Sequence, residues 1–172
     1  MARLPPPAGA PAPLRSYGLL AHAPDVLVAF MDLYGRLWRD GVVPQSIKEV
    51  ARLRNARLTG CGYCRNVRFA GAREDGLTED DVALIDDGYA GSALSARRKA
   101  TIALTDVVLG RRDLDDALAA TLRREWTAPE LVELTVTAAL CHGFSKIAVA
   151  LGQATADMPV MVVPSPTPPA AA

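Results

Sequence analysis

Residues 48–73 read KEVARLRNARLTGCGYCRNVRFAGAR, and the rest of the chain is best read outward from them. The first half has helical periodicity, with Ile47, Val50, Ala51 and Leu58 inward, and Thr59-Gly60 is a helix stop after which a third helix starts at Cys61. Cys61-Gly62-Tyr63-Cys64 is a Cys-x-x-Cys pair; at a helix start it places two thiols one turn apart and favours the thiolate of the first. If the helix continues, Cys61, Cys64 and Arg68 share one face, where the Arg68 cation favours a thiolate but accepts no proton. Glu49, on the preceding helix, is the candidate proton acceptor, brought to the cysteines by a helical hairpin. Plainer readings of the same residues are half of a zinc site or two unreactive buried thiols, with Glu49 and Arg68 as solvated side chains.

Outward from this centre, the pattern is helical throughout, with no period-two strand pattern. Pro24, Pro44 and Pro129 each precede an apolar run and mark helix starts. The first runs from Pro24 to Asp40-Gly41 with Val26, Leu27, Phe30, Leu33, Tyr34, Leu37 and Trp38 inward, and the second from Pro44 to about Leu58. Thr78 and Asp81 form a capping signature, Ser95 opens a helix that stops at Gly110, and Asp113 caps a short helix through Leu114, Leu118 and Leu122. A long helix starts at Thr127-Ala128-Pro129-Glu130 and is expected to break at Gly143, with a further helix from Phe144 to about Ala154. The expected fold is all-α, one helical bundle of about seven or eight helices. His22, at a helix entrance, reads as a turn residue.

Ten of the 13 prolines lie in the tails, so the helical domain is expected over 15–163, between disordered Pro-rich segments at 1–14 and 164–172. Val160-Met161-Val162-Val163 is kept extended by its prolines and could pack on a neighbouring subunit. An 81-residue offset pairs Glu49 with Glu130, Leu53 with Leu134, Gly62 with Gly143, Tyr63 with Phe144 and Cys64 with Ser145, the pattern of a decayed duplication. Cys141-His142 near the dithiol raises a three-cysteine, one-histidine zinc site, but adjacent helical residues point about 100° apart, and Cys141 reads better as a small buried residue.

At 172 residues the chain sustains one core without staples. Lys plus Arg and Asp plus Glu number 19 each, so no net field directs it to nucleic acid or an acidic membrane. Lys48, Arg52, Arg54, Arg57, Arg65, Arg68 and Arg73 precede an acidic stretch from Glu74 to Asp87; the charges could pair between elements or subunits, though such a run reads first as a solvated face. The N-terminus lacks a continuous apolar region, and the uncharged run Leu134–Ser145 is too short to span a bilayer, so no membrane is expected. A dithiol motif with one further cysteine suits a reducing cytoplasm.

Glu49, eleven intervening residues, Cys61 and Cys64 resemble the redox branch of the carboxymuconolactone decarboxylase and alkyl hydroperoxidase D superfamily. GLTEDDVALID after the motif and GFSKIAVALG near the end extend the resemblance over about Gly18 to Val163. The resemblance implies an all-helical homo-oligomer, a trimer or dimer-based hexamer, whose cysteines cycle between dithiol and disulfide with no metal or flavin cofactor. It implies hydroperoxide or disulfide substrates and a thiol reductant: a dihydrolipoyl or thioredoxin-like protein, or a small thiol. It also implies Cys64 as the thiol attacking peroxide and Cys61 as the partner-facing one. Arg68 stands where the family has a relay histidine, and Tyr63 where some members have a second one, so Glu49 would act directly or through water. The alternative is a non-redox oligomer of this fold that binds a lactone-like small molecule, or a decarboxylase-like enzyme.

Overall fold

The computed structural model describes residues 4, 5, 7, 8, 18–151 and 158–167. Of the expected tails, 1–14 lies largely outside the described residues, and 164–172 is described only as far as 167; the expected end of the last helix beyond Leu151 also lies outside them. Among those described, eight α-helices and one two-stranded sheet follow in order: α1 Pro24–Arg39, α2 Gln45–Thr59, α3 Gly62–Asn66, β1 Val67–Phe69, α4 Ala70–Glu74, α5 Glu79–Ala83, α6 Ala96–Val108, α7 Asp116–Glu125, α8 Ala128–Leu151 and β2 Met161–Val163. Short 3-10 turns precede α1 and α6. The fold is an all-helical bundle.

The punctuation read from the sequence sets most boundaries. Proline occupies the first turn of α1. Thr78 and Asp81 form a reciprocal capping box at α5, and Ser95 caps α6 by accepting from the Arg98 N–H. Gly60 ends α2 in the left-handed conformation (φ 69°), where a Cβ would be strained. Asp115 rather than Asp113 caps α7, so Leu114 falls outside that helix and is exposed. On α1, Leu27, Leu37 and Trp38 face the core as expected, whereas Val26 and Leu33 face outward.

The bundle is built around α2, in which every residue from Ser46 to Ala56 is buried. It packs along α8 and α6, with α3 and α4 also against it, α4 beside its first turn. One apolar cluster joins Ile47 to Leu104, Leu122, Trp126 and Leu134; a second joins Val50 and Leu53 to Leu77, Val82, Ile85 and Ile102. The charged residues of α2 are the surprise: Lys48, Glu49, Arg52 and Arg54 are buried rather than on a solvated face. Each has a partner in or beside a different element. Lys48 pairs with Glu133 of α8 (2.7 Å) and donates to the Leu37 carbonyl. Arg54 pairs with Asp106 of α6 (2.7 Å) and Asp87 (2.8 Å). Glu133 also accepts from the Val42 and Val43 N–H groups, tying the α1–α2 connection to α8. Burial of a charge demands such partners, so these pairs fix how the helices sit on α2.

Two expectations about chain path fail. The helix from the cysteines does not reach Arg68: it ends at Asn66 and the chain extends through Val67–Phe69. In a continuing helix the Cys64 carbonyl would accept from the Arg68 N–H; here it accepts from Arg52 (2.7 Å). The extended segment pairs in parallel with Met161–Val163, Arg68 opposite Val162. Met161–Val163 therefore pairs within its own chain, with Val160, Met161 and Val162 still exposed. Just beyond it, Ser165 is buried, accepts from the Gly71 N–H and bonds Gln45.

Gly143 does not end the last long helix, and α8 runs unbroken for 24 residues. A helical glycine costs only about 1 kcal/mol, and Cys141 and Ser145 on either side are held against α2. By length and composition α8 could cross a membrane; in this fold it runs along α2 with Leu134, Thr137, Ala138, Cys141 and Ser145 buried.

Candidate functional site

Cys61 caps α3: its Sγ accepts from the Cys64 N–H (3.3 Å), and the two cysteines are joined as a disulfide with Cα atoms 5.3 Å apart. Both lie against Ala56 of α2 and Ala148 and Val149 of α8. Cys61 is 0% exposed and Cys64 7%. Both are buried, Cys64 the less completely. Tyr63, between them, is 42% exposed.

Glu49 is wholly buried. Its carboxylate accepts two hydrogen bonds from Arg52 (2.7 and 2.6 Å) and one from the Phe69 N–H (3.3 Å). Arg52 donates onward to the Cys64 carbonyl (2.7 Å) and the Val67 carbonyl (2.6 Å), and its guanidinium lies 4.8 Å from the Phe69 ring centre. Burial works against the charge on Arg52, yet Glu49 raises its pKa above the usual arginine value. Glu49 thus reaches the cysteine segment through Arg52. The sequence reading missed Arg52; the available signal was its i, i+3 spacing from Glu49.

Arg68 is buried too, but its side chain runs to Glu79 (3.0 Å) and to the carbonyls of Arg65 and Val67. It does not share a helical face with the cysteines, because the helix ends before it. The cation bonded to the Cys64 backbone is Arg52.

A second set of residues meets the cysteines from α8. Ser145 donates to the Cys64 Sγ (3.4 Å), so the two residues matched by the 81-residue offset are in contact. Asn55 of α2 donates to the Ser145 Oγ (2.9 Å) and the Cys141 carbonyl (3.0 Å), and its Oδ1 lies 3.1 Å from the His142 Nδ1. Among the described residues no three His, Cys, Asp or Glu side chains converge as a metal site.

Cys141 is buried and free. Burial pushes its thiol up to about 12, against the lowering effects of Arg52 and the Tyr34 hydroxyl, with Glu49 adding to the rise. Tyr34 is likewise raised above the ordinary tyrosine value, first by burial and then by Cys141. The folded chain thus keeps a proton that an unfolded cysteine releases above about pH 8.5, so stability falls as pH rises past that point. Between pH 8 and 10 the wild type should lose about 2 kcal/mol more than Cys141→Ala, read by urea unfolding. Equal losses would show that Cys141 carries no such proton.

A profile of the Carboxymuconolactone decarboxylase family matches residues 24–106, from the start of α1 to near the end of α6, and includes the cysteine motif. Residues 24–106 are similar to that family, and the fold is carboxymuconolactone decarboxylase/AhpD-like. The chain's fold is similar to the crystal structure of an Agrobacterium tumefaciens protein of unknown function that has been suggested to be an AhpD antioxidant defence protein. The TM-score is 0.65 at 23% identity, over 77% of this chain and 91% of that one. No curated protein matches. Within the matched residues lies the Cys-x-x-Cys pair, Cys61 and Cys64, spaced for redox chemistry.

Proposed function

We propose that the chain is a thiol–disulfide oxidoreductase that reduces hydroperoxides by cycling Cys61 and Cys64 between dithiol and disulfide. The observation that carries this reading is the cysteine pair itself. The two side chains are close enough to bond, and the Cys64 sulfur also receives a hydrogen bond from Ser145. A hydroperoxide meets Cys64, the more exposed of the two. The Cys64 thiolate attacks the terminal peroxide oxygen and the O–O bond breaks. Cys64 becomes a sulfenic acid, and the alkoxide leaves and takes a proton as alcohol. The Cys61 thiol then attacks the Cys64 sulfur, releasing water and closing the disulfide. An external dithiol restores both thiols by attack at the Cys64 sulfur, the less buried cysteine, through a mixed disulfide, leaving as a disulfide itself.

Arg52 and Glu49 support the pair by holding the cysteine segment. The dithiol suits a reducing, cytoplasmic compartment. Exposed Val26, Leu33, Val132 and Ile147 on α1 and α8 favour self-association, and light scattering on the same sample gives the subunit number.

The direct test is alkylation mass spectrometry on reduced protein before and after a small excess of organic hydroperoxide. Rapid loss of two alkylatable thiols, at Cys61 and Cys64 with Cys141 unchanged, is expected. If both stay reduced under peroxide, the peroxidase reading falls. If both also resist a disulfide donor, a ligand-binding or decarboxylase-like role of the same fold replaces it.

A further inference from the structure

The contacts between α2 and α8 at Cys64 form a directed chain of hydrogen bonds, and its direction follows from counting donors. Asn55 uses both amide hydrogens, one on the Cys141 carbonyl (3.0 Å) and one on the Ser145 Oγ (2.9 Å). Turning the amide over would set its oxygen against the Cys141 carbonyl, two acceptors facing each other. With the amide so fixed, Asn55 Oδ1 faces His142 Nδ1 (3.1 Å), and the hydrogen between them must belong to the imidazole. A helical serine usually turns its hydroxyl to the carbonyl four residues back. For Ser145 that is Cys141, whose carbonyl already accepts from Asn55. Ser145 accepts from Asn55, and its own proton points at the Cys64 Sγ (3.4 Å). One continuous series of donors, from His142 through Asn55 to Ser145, ends at the sulfur.

We infer that Ser145 is a positioning residue that stabilises the Cys64 thiolate by hydrogen bonding, and that Asn55 and His142 hold its hydroxyl in that orientation. This rests on reading Cys61 and Cys64 as a redox pair. Hydrogen bonds to a charged acceptor are stronger than neutral ones, so the bond tightens when Cys64 becomes a thiolate and favours that form. The array replaces nothing supplied by Arg68, whose side chain is committed to Glu79. The ionisable groups around Cys64 are Cys61, which caps α3, Glu49 and Arg52 on α2, and Cys141 with His142 on α8, with Tyr34 of α1 beside Cys141. All of them are retained when Ser145 alone is changed.

The test is the pH dependence of alkylation, resolved by peptide, on fully reduced wild type, Ser145→Ala and Ser145→Thr. In Ser145→Ala the Cys64 profile should move to higher pH by about one unit, slowing alkylation roughly tenfold at pH values below both midpoints. Ser145→Thr, which keeps the hydroxyl, should restore the wild-type profile, and the Cys61 profile should stay in place. An unmoved Cys64 profile in Ser145→Ala, or a threonine variant that behaves like alanine, overturns the inference. Should Ser145→Ala fail to fold, nitrogen chemical shifts of His142 in the wild type decide it. Protonated Nδ1 is expected, and an Nε2–H tautomer overturns the direction of the array; His22 is the only other histidine to assign. Reversible disulfide formation in a dithiol buffer is measured separately. Its failure removes the redox reading, while alkylation of the reduced protein still reports on Ser145.

Discussion

Arg52→Met is expected to lower the unfolding free energy by about 3–5 kcal/mol, measured by urea titration with circular dichroism. The substitution roughly keeps the length of the side chain but removes the partner of a wholly buried carboxylate, Glu49, and the donors of the Cys64 and Val67 carbonyls. Each stranded group keeps its desolvation cost. Glu49→Gln should cost a similar amount, because it leaves the buried Arg52 charge without its counter-ion. Replacing both, as Arg52→Met with Glu49→Leu, should cost less than the sum of the singles, since two apolar side chains leave no buried charge. A loss near 1 kcal/mol, the scale of an exposed pair, would show that the guanidinium does not organise this corner. The variant should also loosen α3, visible as faster hydrogen exchange at Cys64 and Arg65.

Cys64→Ser is expected to abolish peroxide-dependent oxidation completely, with helicity retained, because the remaining thiol at Cys61 is closed off from solvent. Cys61→Ser should instead stop the cycle halfway. Cys64 then accumulates as a sulfenic acid that a dimedone trap captures at one equivalent per chain. The pair of outcomes separates the attacking thiol from the resolving one. Peroxide consumption that persists in Cys64→Ser would refute the proposed chemistry, and trapping at Cys61 rather than Cys64 would reverse the order of attack.

Much of the architecture was legible in local signals. Pro24 and Pro44, the Thr78–Asp81 box, Ser95 and Gly60 act within one turn of the chain, so their effect on helix boundaries is visible in the residues themselves. The misreadings have tertiary causes. Gly143 was read as a break, but contacts between α8 and α2 carry the helix through it. The face shared by Cys64 and Arg68 required a helix that ends at Asn66 once Arg52 occupies the Cys64 carbonyl and Met161–Val163 pairs with the segment that follows.

The site divides the same way. Cys61, Cys64 and Glu49 were visible because spacing along one stretch joins them, and the sequence by itself determined an all-helical chain with a dithiol at its centre. Only the tertiary structure decided which charges α2 buries, that Arg68 turns to Glu79 while Arg52 grips the cysteine segment, and that Ser145 and His142 belong to the site. The physical reason is range. A cap or a turn is determined by neighbours along the chain, whereas the partner of a buried polar group is chosen by whichever helix packs over it, here one more than eighty residues away.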